Sequence, residues 1–164
     1  MRVLVVGAGP VGLIFCAKLS RYGHECILIE RNPLQYTMSR ASTLQPASLE
    51  CLKEFTFLPR LIARGHCVHD LMSWDVDRDL KNICSFDLID GETSYPFRLH
   101  VNQSLLRDEL IRFLCQCPSC TILDQTDVTS VLSNSSAHGV ALRVKLRGSS
   151  HLEQILHGDC LVVS

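Results

Sequence analysis

The sequence predicts an α/β fold built on a parallel sheet, and three features near its amino terminus indicate this class. Arg2–Val6 is short, β-branched and apolar, which is typical of a strand buried on both faces. Residues 11–22 carry apolar side chains at helical spacing, and Gly23 is a natural helix stop. Residues 25–30 repeat the buried-strand pattern. Strand, helix and strand in close succession form a βαβ unit, whose strands should be parallel.

The rest of the chain is expected to add short helices and antiparallel strands. Proline suits the first turn of the helix after the polar loop at 31–43, and Asn102 or Ser104 can cap a later helix. The expected elements are helices at 46–55, 58–64 and 102–114, two extended segments within 66–88 around a charged turn at 75–81, and strands at 121–123, 126–132, 140–146 and 155–163. Residues 121–146 should therefore form an antiparallel meander, beside the start of a second, mainly β layer.

Composition narrows the class of protein. The chain has 164 residues, of which 46% are hydrophobic and 20% charged, the balance of one ordinary globular domain over 1–164. Its formal net charge is -1 with no basic block, so we expect no nucleic-acid or anionic-membrane partner. No apolar run reaches the roughly 18 residues of a membrane span. Without an export signal, the nine cysteines are expected to be reduced thiols in a cytoplasmic protein.

Residues 7–12 (GAGPVG) match the glycine-rich fingerprint of a dinucleotide-binding, Rossmann-type turn. Gly7 permits a tight turn, Gly9 lets the backbone approach a pyrophosphate, and Gly12 lets the helix pack close to the sheet. Glu30 ends the second strand, where a carboxylate can accept both ribose hydroxyls and would repel a 2′-phosphate. NAD and FAD share this ADP half, so the pattern leaves both open. The expected contacts are Gly7, Gly9, Pro10, Val11, Gly12 and Glu30.

Two further segments resemble signatures of the class A flavoprotein monooxygenases, the para-hydroxybenzoate and phenol hydroxylase-like enzymes. Residues 30–31 (ER) with 40–50 (RASTLQPASLE) are similar to the second signature, and residues 95–104 (YPFRLHVNQS) to the third. The resemblance implies FAD as the cofactor, with an arginine against its diphosphate or ribityl region and a glutamine hydrogen-bonded to the flavin nucleotide. The residues it adds to the site are Arg31, Arg40, Ala41 and Gln103.

The same resemblance implies an activity. This activity is the NAD(P)H-dependent hydroxylation of a phenolic or similar aromatic substrate. The protein orients the cofactor and excludes water, so no catalytic side chain is expected. Family members continue beyond a strand like 159–163. We therefore expect this chain alone to be largely inactive and to self-associate through uncovered apolar surface. Two alternatives stay open: a truncated, non-catalytic nucleotide-binding module, and an NAD-dependent dehydrogenase fragment, against which Arg40 and Gln103 argue.

Two groups of metal-ligating residue types fall short of the ligand set that a metal site requires. Cys115, Cys117 and Cys120 could ligate zinc, but a closed site needs a fourth ligand and none stands at a typical interval. His66 and His69 lie in strand-like sequence without a carboxylate nearby in the chain. We expect no metal.

Overall fold

The structure is a computed structural model that describes residues 1–34, 43–74, 80–133, 139–148 and 153–164. The chain divides into two units. The first combines Met1–Thr37 with Arg107–Ser164, and the second is Met38–Leu106. Among the described residues, no helix has the length and apolar character needed to cross a membrane. The single FAD-binding domain expected over 1–164 stays a prediction.

The described residues form both helices and strands. The helices are α1 Pro10–Arg21, α2 Pro46–Leu52, α3 Leu58–Ala63 and α4 Gln103–Leu114, with a 3-10 helix at Phe86–Ile89. The strands are β1 Arg2–Val6, β2 Glu25–Ile29, β3 Thr43–Leu44, β4 His66–Val68, β5 Asp70–Trp74, β6 Leu80–Ser85, β7 Arg98–His100, β8 Cys120–Leu123, β9 Thr126–Ser133, β10 Val140–Leu146, β11 Glu153–Gly158 and β12 Cys160–Val163.

A parallel sheet with the order β12-β1-β2-β8 forms the centre of the first unit, which confirms the predicted fold class. Val3, Leu4 and Val5 of β1 are all buried, as the unbroken apolar run of this strand indicates. α1 connects β1 to β2 and buries Leu13 and Ala17. The predicted βαβ unit is therefore present.

A three-stranded antiparallel sheet, β11-β10-β9, completes the first unit. Leu142 and Val144 of β10 form a buried cluster with Leu4 and Ile29 of the parallel sheet. Side chains at alternate positions of a strand share one face, so β10 presents this pair to the core together. The contact joins the meander to the strands that carry the glycine turn and Glu30.

One predicted strand has a different partner in the structure, and another is two strands. The strand expected at 121–123 was placed in the meander, but β8 pairs with β2 in the parallel sheet, and the meander is β9, β10 and β11. The single strand expected at 155–163 is two strands. The chain leaves the meander at Gly158. The Asp159 amide donates to the Arg2 carbonyl at 2.8 Å, and the Arg2 amide donates to the Asp159 carboxylate at 2.7 Å. These bonds start β12 in the parallel sheet beside β1.

The second unit contains the three-stranded antiparallel sheet β3-β7-β4, the β5-β6 hairpin, α2 and α3. The helix expected over 46–55 ends earlier, at Leu52, because the chain turns there and the Phe55 amide donates to the Leu52 carbonyl at 2.9 Å. Phe55 is nevertheless buried, stacked on Phe57 with ring centroids 5.3 Å apart. Part of the charged turn expected at 75–81 lies outside the described residues.

Candidate functional site

The glycine turn lies at the junction of β1 and α1. Gly7 has a φ of 107°, a left-handed conformation that favours glycine, and its amide donates to the Ile29 carbonyl at 2.8 Å. A Cβ on Gly12 would collide with the Gly7 carbonyl and would lie 2.6 Å from Ser164 Oγ. Both glycines are therefore needed for the turn and the helix to pack this tightly.

Gly9 has a different reason for lacking a side chain. No atom of the described residues lies within 4 Å of the position that its Cβ would take, so the space in front of Gly9 is open. Gly9 is the N-cap of α1 and Pro10 is its first residue, and no described side chain caps this end. The first amides of a helix have no acceptor within it, and the helix dipole makes this end positive. The turn is thus shaped to receive an anion such as a diphosphate.

Glu30 follows β2 and points its carboxylate at this turn. Oε2 accepts a hydrogen bond from the Ala8 amide at 2.8 Å, and Oε1 accepts one from the Asn32 amide at 2.8 Å. The backbone of Glu30 is anchored as well, because its amide donates to Leu123 and its carbonyl accepts from Thr126, both at 2.9 Å. A carboxylate has about four acceptor positions. The two amides leave capacity for the two hydroxyls of a ribose.

A cleft of about 320 Å³ opens beside the turn, lined on one side by Gly7 and Glu30 and on the other by the start of β9. Arg31 stands at its rim with a largely exposed side chain, and its Nε lies 4.0 Å from Asp127 Oδ1. Arg147 Nε donates to the other oxygen of Asp127 at 2.8 Å. The cleft therefore holds opposite charges at its edge, with the apolar ends of the parallel strands behind them.

The sequence did not predict three polar residues that line this cleft: Thr126, Asp127 and Ser164. Thr126 is buried, and its hydroxyl donates to the Asp124 carbonyl at 2.8 Å in the turn before β9. Ser164 Oγ donates to the Gly7 carbonyl at 3.0 Å. The Asp-Gln-Thr-Asp string at 124–127 is polar enough to indicate a turn. Nothing in it indicates that the turn lies against Glu30.

The residues that the family resemblance added are only partly described. Arg40 and Ala41 lie outside the described residues. Gln103 is the first residue of α4, in the second unit, and is half-buried. The helix start is capped by Asn102, whose Oδ1 accepts from the amide and the hydroxyl of Ser104, each at 3.0 Å. Of the two cap candidates, the structure therefore selects Asn102.

The cysteine and histidine groups do not form a metal centre in the described part of the chain. Among those residues, no group of three His, Cys, Asp or Glu side chains could hold a metal ion. Cys115 is exposed just after α4, whereas Cys120 begins β8 beside Cys26. These cysteines are close in sequence but lie in two different environments.

The parallel sheet, the uncapped helix after a glycine turn and the carboxylate held at that turn together define an α/β protein of the dinucleotide-binding class. Comparison with known families assigns it further. Residues 1–156 match the family described as FAD binding domain. The chain belongs to this family, which confirms FAD as the cofactor that the sequence resemblance implied.

Curated relatives cover much of the chain at modest identity. It is 25% identical over 147 residues to para-nitrophenol 4-monooxygenase of Pseudomonas sp. strain WBC-3, an alignment that covers 85% of this chain and 36% of that protein. It is 30% identical over 102 residues to pentachlorophenol 4-monooxygenase of Sphingobium chlorophenolicum, covering 62% of this chain and 19% of that protein. The chain thus spans well under half the length of these relatives.

Solved structures show the same fold. The crystal structure of p-nitrophenol 4-monooxygenase from Pseudomonas putida DLL-E4 superposes with a TM-score of 0.86 at 20% identity, covering 99% of this chain and 40% of that one. Anhydrotetracycline hydroxylase from Streptomyces rimosus superposes with a TM-score of 0.81 at 21% identity, covering 99% and 31%. At such identities the likeness is one of fold.

Proposed function

We propose that this chain is the FAD-binding part of an NAD(P)H-dependent monooxygenase that hydroxylates a phenolic or similar aromatic compound. Its cofactor follows from the family. The substrate class is proposed because two curated relatives are named for phenols, para-nitrophenol and pentachlorophenol. The observation that carries the proposal for this chain is the Glu30 carboxylate, held at the glycine turn by the Ala8 amide at 2.8 Å.

The described residues would contact different parts of the ADP half of FAD. The amides at the start of α1, on Val11 and Gly12, would donate to the diphosphate, which the open space at Gly9 lets approach. Glu30 would accept the ribose hydroxyls. Arg31, at the rim of the cleft, would add positive charge on the approach to the phosphates. Pro10 shapes the helix start and, lacking an amide hydrogen, donates nothing.

The remaining contacts are proposed from the family resemblance. Arg40, followed by Ala41, would pair with the diphosphate or ribityl region, where a guanidinium offers a fixed fork of donors. Gln103, at the first position of α4, would hydrogen-bond the flavin nucleotide. FAD supplies the redox chemistry when it is bound. The protein's side chains bind it, orient it and exclude water.

Catalysis belongs to a longer polypeptide in this proposal. The chain spans 36% of para-nitrophenol 4-monooxygenase, so the surfaces that bind the aromatic ring and enclose the flavin would be shared with sequence outside it. We therefore propose little or no turnover by this chain alone, and self-association through apolar surface such as Val163, which is 72% exposed. A cytoplasmic location is part of the proposal, because nine free thiols suit a reducing compartment.

A titration with three nucleotides tests the binding site. FAD, NAD and FMN are added separately to the purified chain, and binding is followed by the flavin visible spectrum, by flavin fluorescence and by protection against heat. FAD should bind and raise the melting temperature, whereas FMN, which lacks the ADP half, should bind much more weakly. Protection by NAD without protection by FAD would overturn the proposal in favour of a dehydrogenase fragment. Phenol-dependent NADPH oxidation by the chain alone would overturn the proposed lack of turnover.

A further inference from the structure

Three thiols meet in the first unit, between α1 and the parallel sheet, and the proposed function makes no use of them. They are Cys16 of α1, Cys26 of β2 and Cys120 of β8. Cys16 and Cys26 are fully buried, and Cys120 is half-buried. Cys26 Sγ lies 3.5 Å from Ser20 Oγ, which is one turn of α1 beyond Cys16.

The sheet register brings Cys26 and Cys120 side by side. They are direct partners in the parallel pairing of β2 with β8. Neighbouring strands lie about 4.8 Å apart, inside the Cα separation of about 4.4–6.8 Å that a disulfide spans. Partners in register point to the same face of a sheet. Cys26 Sγ approaches the Cys16 carbonyl at 3.8 Å, so this shared face is the one covered by α1.

Within the cluster, Cys26 is the sulfur best able to carry negative charge. Hydrogen bonds from Cys120, Cys16 and the nearby Ser20 lower the pKa of Cys26 to about 3, although burial opposes the shift. Hydrogen bonds with Cys120 and Cys26, together with burial, raise the pKa of Cys16. A hydrogen bond with Cys16 lowers the pKa of Cys120, but a hydrogen bond with Cys26 and burial together raise it to about 12. Of the in-register pair, Cys26 is therefore the thiol that loses its proton more readily.

We propose that Cys26 and Cys120 form a reversible disulfide when the protein meets a peroxide. Hydrogen peroxide first oxidises one thiol of the pair, which gives up two electrons and becomes a sulfenic acid with release of one water. The sulfur of the other thiol then attacks the sulfur of the sulfenic acid. The S–OH bond breaks, the S–S bond forms, and the hydroxide leaves as a second water after taking the remaining thiol proton. Two thiols and one hydrogen peroxide thus give one disulfide and two waters.

The position of this pair in the chain gives the bond a specific consequence. The entire second unit, Met38–Leu106, lies between Cys26 and Cys120 in sequence. The disulfide would close a covalent loop of chain that contains residues 38–106. Chain cleavage anywhere inside the loop would then leave the two parts of the first unit joined until the bond is reduced.

Peptide mapping tests the proposal, because trypsin separates the three thiols. Cys16 falls in peptide 3–18, Cys26 in 22–31 and Cys120 in 113–143. After mild hydrogen peroxide treatment of the folded chain and alkylation of the remaining thiols, we expect 22–31 joined to 113–143. The mass should be lower than the sum by two hydrogen atoms, and dithiothreitol should reverse the link. Fragmentation on the amino side of Pro118 separates Cys120 from Cys115 and Cys117 and should place the bond on Cys120.

Two matched variants complete the test. Cys120→Ser should abolish the cross-link, whereas Cys115→Ser, on the same tryptic peptide but exposed, should leave it at the parental yield. If Cys120→Ser does not fold, fragmentation of the parental cross-link decides by itself. A link to peptide 3–18, a link at Cys115 or Cys117, a link between two copies, or oxidation confined to the exposed thiols would each overturn the proposal. None of these outcomes depends on FAD binding, so the two proposals fail independently.

Discussion

The amide of Ala8 donates a 2.8 Å hydrogen bond to Oε2 of Glu30, and this bond ties the glycine turn after β1 to the end of β2. It orients the carboxylate without exhausting it, since the Asn32 amide occupies one position on the other oxygen. The acidic side chain is therefore already held in the orientation that the proposed ribose contact requires. Such preorganisation lowers the entropic cost of binding.

Replacing Glu30 with alanine should weaken FAD binding. A hydrogen bond to a charged group contributes about 1.5–3 kcal/mol, so we expect the Kd to rise at least about tenfold. Flavin fluorescence titration measures the change. Glu25→Ala is the matched control, because Glu25 lies at the opposite end of β2, where it pairs with Arg2 at 2.9 Å. An equal loss of affinity in both variants would contradict the ribose role of Glu30.

Alanine substitutions at Gly12 and Gly9 should separate folding from binding. The new Cβ at Gly12 would meet the Gly7 carbonyl, so this variant should lose about 1–3 kcal/mol of stability. At Gly9 the φ of -68° suits alanine and no described atom crowds the Cβ, so the loss should stay below about 1 kcal/mol. Gly9→Ala should nevertheless weaken FAD binding.

Urea unfolding of both glycine variants, with and without FAD, makes this comparison. The parent protein provides the reference, and Gly23→Ala is unsuitable as a control because Gly23 has a φ of 77°. Stable Gly12→Ala, or undiminished FAD affinity in Gly9→Ala, would show that the turn is looser than the structure describes.

Glu50 should make the stability of the second unit depend on acid pH. A 2.6 Å hydrogen bond from Thr93 Oγ1 is the largest cause that lowers the pKa of Glu50 from 4.5 to about 2, followed by Lys53, paired at 2.9 Å. A carboxyl whose pKa is lower in the folded protein stabilises it above the unfolded pKa. That stabilisation is complete above about pH 4.5 and is lost as the pH falls toward 2.

Urea unfolding between pH 7 and pH 2.5 checks this dependence. In Glu50→Gln the free energy of unfolding should be lower than in the parent at pH 7, and the difference should shrink as the pH falls through the window from 4.5 to 2. The control is Glu92→Gln, because Glu92 is an exposed glutamate that directly precedes Thr93 in the chain. A Glu50→Gln difference that stays constant with pH would refute the role of the carboxylate.

Leu142→Ala should be the most destabilising of these changes. Leu142 is fully buried against Leu4 and Ile29, and removing a buried leucine side chain costs about 2–5 kcal/mol. Its register partner Val131 is 57% exposed, so Val131→Ala should cost less than about 1 kcal/mol. Chemical denaturation compares the two. Similar losses would mean that the meander does not depend on this cluster.

Local patterns predicted the elements of the site well. The βαβ unit, the glycine turn and the position of Glu30 follow from short stretches of sequence, and the structure has this parallel sheet. Glycine conformation, helix start signals and buried-strand composition act within a few residues, so they can be read without knowing the fold. The cofactor roles of Arg40 and Gln103 stay predictions.

Strand partners could not be inferred in the same way. β8 and β9 are separated by a short turn, yet one joins the parallel sheet and the other the meander. The strand predicted over 155–163 changes sheet at Gly158, where a Cβ would lie 2.7 Å from the Leu4 side chain. That requirement for glycine arises from β1, which is distant in sequence.

The sequence by itself determined the strand-turn-helix at the glycine turn and the acidic residue that follows the second strand, because both depend on local backbone preferences. Only the tertiary structure decided that Asp127 and Ser164 share the Glu30 cleft, and that Cys26 adjoins Cys120. Parallel pairing joins segments far apart in the chain, and its register is set by packing over the whole sheet. No short pattern records that packing.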